Sequence, residues 1–195
     1  MLDRIGDEVA RATTIVRYAP NSKFSPHVHA GGEEFLVLDG IFQDERGDYP
    51  AGSYIRNPPQ SSHTPGSSDG CVIFVKLWQF DPQDRNEVRI NAKEMPVIAD
   101  PRRSGVSVTP LFQDEREEVR LESWLANIKV TIDAPDGAEL LVLSGSLTEG
   151  ADELTANSWL RSPANSQIVA KTGARGAKIW LKTGHLPPPQ GNSFT

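Results

Sequence analysis

A single cysteine in 195 residues excludes an internal disulfide and any zinc site built from cysteine pairs. That residue, Cys71, lies in the apolar run CVIFVKLW and reads as an inert core thiol. Basic charge is also short. Twenty Lys and Arg against 26 Asp and Glu leave a net charge of −6 and a pI near 5.2, and only Pro101-Arg102-Arg103 is locally basic. Nucleic acid is therefore not an expected partner, because phosphate binding is driven by clustered Lys and Arg. No run approaches the roughly 18 apolar residues of a membrane helix. The opening MLDRIGDEVA has no apolar leader core, so a cytoplasmic protein that does not engage membranes is expected.

Turn-forming residues are plentiful, with 16 Gly and 15 Pro. Between them recur short strand-like runs: TTIVRYA, EFLVLDG, SYIRN, CVIFVKLW, VRLESWL, IKVTI, ELLVLSG, NSWLRS and AKIWLK. This is an all-β pattern. The only helical candidates are DRIGDEVARA near the N-terminus and DEREEVRLE, the latter equally readable as a charged edge strand.

An internal repeat sets the expected architecture. Gly32–Gly40 (GEEFLVLDG) lies over Gly137–Gly145 (GAELLVLSG), and at the same offset Ser53–His63 lies over Ser158–Ile168, matching Arg56 to Arg161, Pro58 to Pro163 and Ser61 to Ser166. One extra residue then brings CVIFVK over AKIWLK. The expected domains are residues 1–93, a connector over 94–109 and a second copy over 110–195, each copy about 90 residues and large enough to fold as a small domain.

The first copy carries a candidate metal site. His27 and His29 are two apart, so on a strand their imidazoles share a face. Ala30-Gly31-Gly32 supplies a turn whose glycines tolerate positive φ and return Glu33 toward the pair. His63 follows the rigid Asn57-Pro58-Pro59 segment and offers a fourth ligand. Three imidazoles and a carboxylate suit one divalent ion such as zinc, iron, nickel, manganese or copper. The second copy is the control: at these positions it has Ile132, Ala134, Ala138 and Ile168. It also selects Glu33 over Glu34, since Glu34 recurs as Glu139 in the copy without histidines. Glu34 is then a structural hydrogen-bonding residue, and Arg56 and Arg161 are loop anchors. His185 is expected to be exposed, and LPPPQGNSF to be extended.

His27, His29, Glu33 and Gly40, followed by Pro50, Gly52 and His63, resemble the two motifs of the cupin superfamily. Asn21 stands where that pattern has glycine, and the interval from Gly52 to His63 is long. GGEEFLVLDG with GDYPAGSYIRNPPQSSHTP is similar to the ChrR-type branch, which includes the cupin domain of the anti-sigma factor ChrR and cupins related to acetylacetone-cleaving dioxygenases. The resemblance implies two double-stranded jelly-roll barrels in tandem, with His27, His29, Glu33 and His63 as metal ligands in the first. It implies zinc for a ChrR-like protein and iron, manganese or nickel for an oxygenase. ChrR's helical, sigma-binding zinc domain is not expected here. Three functions follow: a sensory or regulatory protein responding to an oxidant or small molecule through a protein partner, a dioxygenase acting on a small oxygenated substrate such as a β-diketone, or a structural binding module. A chamber near Phe35, Tyr54 and Phe74 is the expected substrate space, and a monomer or a homodimer fits either copy number.

Overall fold

Period-two burial defines the strands. In Lys129–Ala134, Val130, Ile132 and Ala134 are buried while Lys129, Thr131 and Asp133 are exposed, as one strand face packs inward and the other meets water. The computed structural model describes residues 1–7 and 10–186. Among these, every regular element is a strand, and no helix is long and apolar enough to cross a membrane. The fold is all-β, as the sequence predicts.

The chain divides into two units, Met1–Met95 and Pro96 onward. In the first, the main sheet runs in the order Asp3–Ile5, Arg11–Tyr18, Cys71–Leu77, Glu33–Asp44, Ser53–Asn57, Val88–Asn91. The long strand Glu33–Asp44 turns back through Gly47–Pro50. A separate ribbon pairs His27–His29 with Ser61–His63. The side chains of Phe35, Val37, Phe42, Ile55, Cys71, Ile73 and Val75 form the core, flanked by Val16, Tyr18, Tyr49 and Leu77.

In the second unit the order is Ile98–Ala99, Val106–Gln113, Glu118–Trp124, Ser166–Thr183, Ala138–Glu149, Asp152–Thr155. The segment read from sequence as a connector thus supplies Ile98–Ala99 and the start of Val106–Gln113 to this sheet. Among the described residues neither helical candidate is helical. Asp3–Ile5 pairs with Arg11–Tyr18. Glu118–Trp124 is hydrogen-bonded on both sides, to Val106–Gln113 and Ser166–Thr183, and so is not an edge. Its charge is absorbed inside the unit: the buried Glu122 carboxylate accepts from Arg103, Arg120 and the Trp124 indole.

The positions that replace the candidate ligands are core here. Ile132, Ala134, Ala138 and Ile168 are all buried in the unit's apolar cluster, and Ile132 pairs with Ile168 across neighbouring strands as His27 pairs with His63 in the ribbon. Where the first unit gathers polar atoms, the second packs hydrocarbon.

Each unit also buries charge on strand positions facing away from its apolar cluster. In the first, Glu34 lies between Lys76 and Arg56 in register and its carboxylate accepts from the Tyr54 hydroxyl at 2.7 Å. In the second, Glu139 lies between Lys182 and Arg161 and accepts from Arg161 at 2.7 Å. His185 is not exposed: its side chain is buried, with Nε2 3.4 Å from the Glu139 carboxylate. The tail segment LPPPQGNSF lies, beyond Leu186, outside the described residues.

Candidate metal centre

Local backbone chemistry brings the ligands together. The Gly32 N–H donates to the His29 carbonyl at 3.2 Å, closing a turn between the histidine pair and Glu33. Gly32 has φ +77°, a conformation that only glycine adopts without cost. Gly31 does not share it. Its role is steric: a Cβ there would stand 2.2 Å from the Trp78 ring, and one at Gly32 2.6 Å from the Phe80 ring. Asn21, where the motif has glycine, takes φ 61°. Asparagine tolerates this region best among the other residues, so the departure from the motif keeps its backbone geometry.

His27, His29 and His63 form a triad whose ligand atoms all lie within 4.8 Å of one another. His29 Nε2 and His63 Nε2 are 2.9 Å apart. Glu33 Oε2 is 3.3 Å from His29 Nε2 and 3.5 Å from His63 Nε2. Donor atoms bound at about 2.0–2.2 Å to one ion stand about 2.9–3.6 Å apart in tetrahedral or octahedral geometry. The three imidazoles could hold a divalent ion, and the Glu33 carboxylate lies at such spacings from two of them, His29 and His63.

Electrostatics agree with that fit. Burial, reinforced by His63 and His27, lowers the pKa of His29 to about 3. Burial and His27 also lower that of His63. Both are neutral at physiological pH and carry ring lone pairs suited to a metal. Burial raises Glu33 to about 7, against the Asn57 amide donating to it and with Asp44 adding to the rise. A cation in the cluster would restore this carboxylate. His27 is oriented differently: its Nδ1 lies 2.9 Å from the Ser25 carbonyl, leaving Nε2 as the free acceptor, and its side is exposed.

Several contributing residues were not singled out by the sequence. Asn57 donates to Glu33 Oε2 at 3.1 Å, and Asp44 Oδ2 stands 3.6 Å from His63 Nδ1. Adjacent to the site, Phe42 packs with ring centroids 5.8 Å from His63, 4.5 Å from Phe35, 6.2 Å from Tyr49 and 5.7 Å from Tyr18. The aromatic wall is thus Tyr18, Phe35, Phe42 and Tyr49. Of the expected chamber residues only Phe35 belongs to it, because Leu36 is in register with both Phe74 and Tyr54 and these three face away from the Phe35 side.

Comparisons with known proteins follow the same lines. Residues 1–81 match the family described as the ChrR cupin-like domain. No curated protein matches the sequence. A candidate dioxygenase from Nostoc punctiforme superposes with TM-score 0.76 at 14% identity, over 90% of this chain and 70% of its own. Quercetin 2,3-dioxygenase from Acinetobacter baumannii gives 0.63 at 16% identity, over 92% and 68%. A deletion mutant of oxalate decarboxylase from Bacillus subtilis gives 0.66 at 11%, over 90% and 68%. At these identities the likeness is one of fold: the chain shares the cupin jelly roll.

Proposed function

The first unit of this chain is a ChrR-type cupin, and from that premise we propose that it is a metal-dependent enzyme of the dioxygenase type, acting on a small oxygenated substrate such as a β-diketone. The observation that carries this reading is the asymmetry of the site: Glu33, His29 and His63 are buried while His27 is exposed. A purely structural ion is normally enclosed by four ligands, whereas a reactive one keeps a side open to exchange.

His27, His29, Glu33 and His63 would hold one divalent ion per chain, iron, manganese or nickel in this reading. Bound there, it would supply Lewis acidity to a substrate oxygen arriving from the exposed His27 side. Phe35, Phe42 and Tyr18 exclude water behind the ligands, and Asn57 orients the Glu33 carboxylate through its amide. The second unit, with apolar side chains at the ligand positions, would be a tandem barrel without an ion, and residues 94–109 would join the two. The net charge of −6 argues against nucleic acid as a partner; in this reading the protein works on small molecules in the cytoplasm, as a monomer or homodimer.

A second reading is favoured by the family match itself. A zinc-bearing cupin of the ChrR kind would sense an oxidant or small ligand and alter contacts with a protein partner, in the manner of an anti-sigma factor but by another surface. Elemental analysis of untagged protein and of His63→Ala separates the two. One equivalent of iron, manganese or nickel, lost in the mutant, with dioxygen uptake on adding β-diketones, supports the enzyme. One equivalent of zinc with no uptake after reloading with those metals turns the assignment to sensing, and no metal in either protein ends both.

A further inference from the structure

We infer that Arg89, which lies beyond the family-matched segment, is a positioning residue that links two metal ligands through one polar ring, hydrogen-bonded from Glu33 to Asp44 and continued to His63 by a close polar contact; this rests on the metal-centre reading above. Its Nη1 donates to the exposed Glu87 carboxylate, and its two other nitrogens reach toward the site. One nitrogen, Nη2, donates to Asn57 Oδ1 at 3.0 Å, which fixes the amide so that Asn57 Nδ2 donates to Glu33 Oε2 at 3.1 Å. The other, Nε, donates to the Tyr49 hydroxyl at 3.1 Å, and that hydroxyl donates to Asp44 Oδ1 at 3.1 Å. Asp44 Oδ2 then faces His63 Nδ1 at 3.6 Å, just beyond hydrogen-bond length, and neither of these buried atoms has a hydrogen-bond partner among the described residues.

The direction of every proton is determined. Arg89 has only donors, so the Tyr49 oxygen must accept from it and spend its own proton on Asp44. The Asn57 amide cannot flip without setting its NH2 against the guanidinium. At the far ends, a carboxylate of Glu33 and an Nδ1–H of His63 are the complementary groups, and the latter leaves His63 Nε2 as the lone pair turned to the ion. Such outer partners fix the tautomer and ring orientation of a metal-binding histidine.

The second unit offers an independent indication. Tyr49 lies opposite Phe42, and the corresponding pair in the other unit is Leu154 opposite Leu147. In the sequence repeat Asn57 becomes Ser162 and Asp44 becomes Glu149. Tyr49 and Asn57, the two residues that receive the Arg89 guanidinium, are thus replaced together with the histidines, while the Asp44 carboxylate is retained as Glu149.

The test uses the full chain and Co2+ as the metal, with affinity read by competition against a chromogenic chelator and ligand geometry read from the visible d–d spectrum. Tyr49→Phe and Arg89→Gln should each weaken Co2+ binding by about 10- to 100-fold and shift the spectrum, with Arg89→Lys recovering part of the affinity. Arg17→Gln, an exposed strand residue, is the control. Unchanged affinity and spectrum in Tyr49→Phe, which alters one oxygen and should fold, would overturn the ring while leaving the metal centre intact. Failure of the wild type to bind Co2+ would overturn both.

Discussion

Nε2 of His29 and Nε2 of His63 face each other across 2.9 Å, although they come from different strands of the ribbon, with Glu33 Oε2 within 3.5 Å of both. Three polar side chains gathered this closely, among core residues, are a costly arrangement for a protein to maintain alone. A divalent ion should therefore stabilise the first unit directly. Urea unfolding with free Zn2+ at about a thousand times its dissociation constant should show about 4 kcal/mol more stability than with EDTA. His29→Ala should remove the difference between the two conditions.

Metal affinity should rise with pH and level off near neutrality. In the metal-free protein Glu33 titrates at about 7, so below that pH binding must displace its proton, and the logarithm of the affinity climbs by about one per pH unit. Above it that proton is gone and the slope flattens. The metal-free fold carries opposing signs. Glu33, raised from 4.5 to about 7, contributes stability that is full below 4.5 and lost as pH rises through 7. His29, lowered from 6.5 to about 3, contributes stability present above 6.5 and lost as pH falls through 3. Chelator titrations between pH 5 and 8 check the first effect. In the metal-free protein, the stability difference between wild type and Glu33→Gln should change in favour of the variant as pH rises from about 4.5 to 7, since the histidines titrate alike in both.

The candidate ligands were legible because the sequence contains its own comparison: four polar positions turn apolar together while Gly32, Gly40 and Pro58 recur. The same comparison chose Glu33 over Glu34, whose counterpart Glu139 stands in the copy without histidines. The aromatic wall was misplaced because Tyr54 and Phe74 look like chamber residues until strand register sets them beside Leu36 and Glu34. His185 looked exposed in a Gly- and Pro-rich segment, and only its proximity to Glu139 buries it. Arg89, Tyr49 and Asp44 carried no signal, since a ring made by three strands and closed through side chains has no spacing to recognise.

The glycine turn separates folding from binding. Gly32 and Gly137 hold φ +77° and +78°, and a Cβ would meet Phe80 at 2.6 Å and Leu186 at 2.5 Å respectively. Alanine at either position should cost about 1–3 kcal/mol through backbone strain and displaced packing. Only Gly32→Ala should also weaken metal binding, because only that turn delivers a ligand carboxylate. Equal effects of both substitutions on Zn2+ affinity would contradict the placement of the site in the first unit.

The charge buried behind the sheet makes the opposite prediction, a large effect on stability with little on the metal. Arg56 is fully buried, its Nη2 donates to Asp84 at 2.6 Å, and its guanidinium lies 4.2 Å above the Phe80 ring. Removing one partner of a buried pair leaves the other charge short of its compensation in a medium that solvates it poorly, at a cost of about 3–5 kcal/mol. Asp84→Ala should therefore be strongly destabilising in urea unfolding, and Asp84→Asn, which keeps an acceptor but loses the charge, less so. Because neither Arg56 nor Asp84 is among the candidate ligands, folded Asp84→Asn should bind Zn2+ within a few fold of wild type. A loss as large as that of Glu33→Gln would instead make the buried pair part of the metal centre.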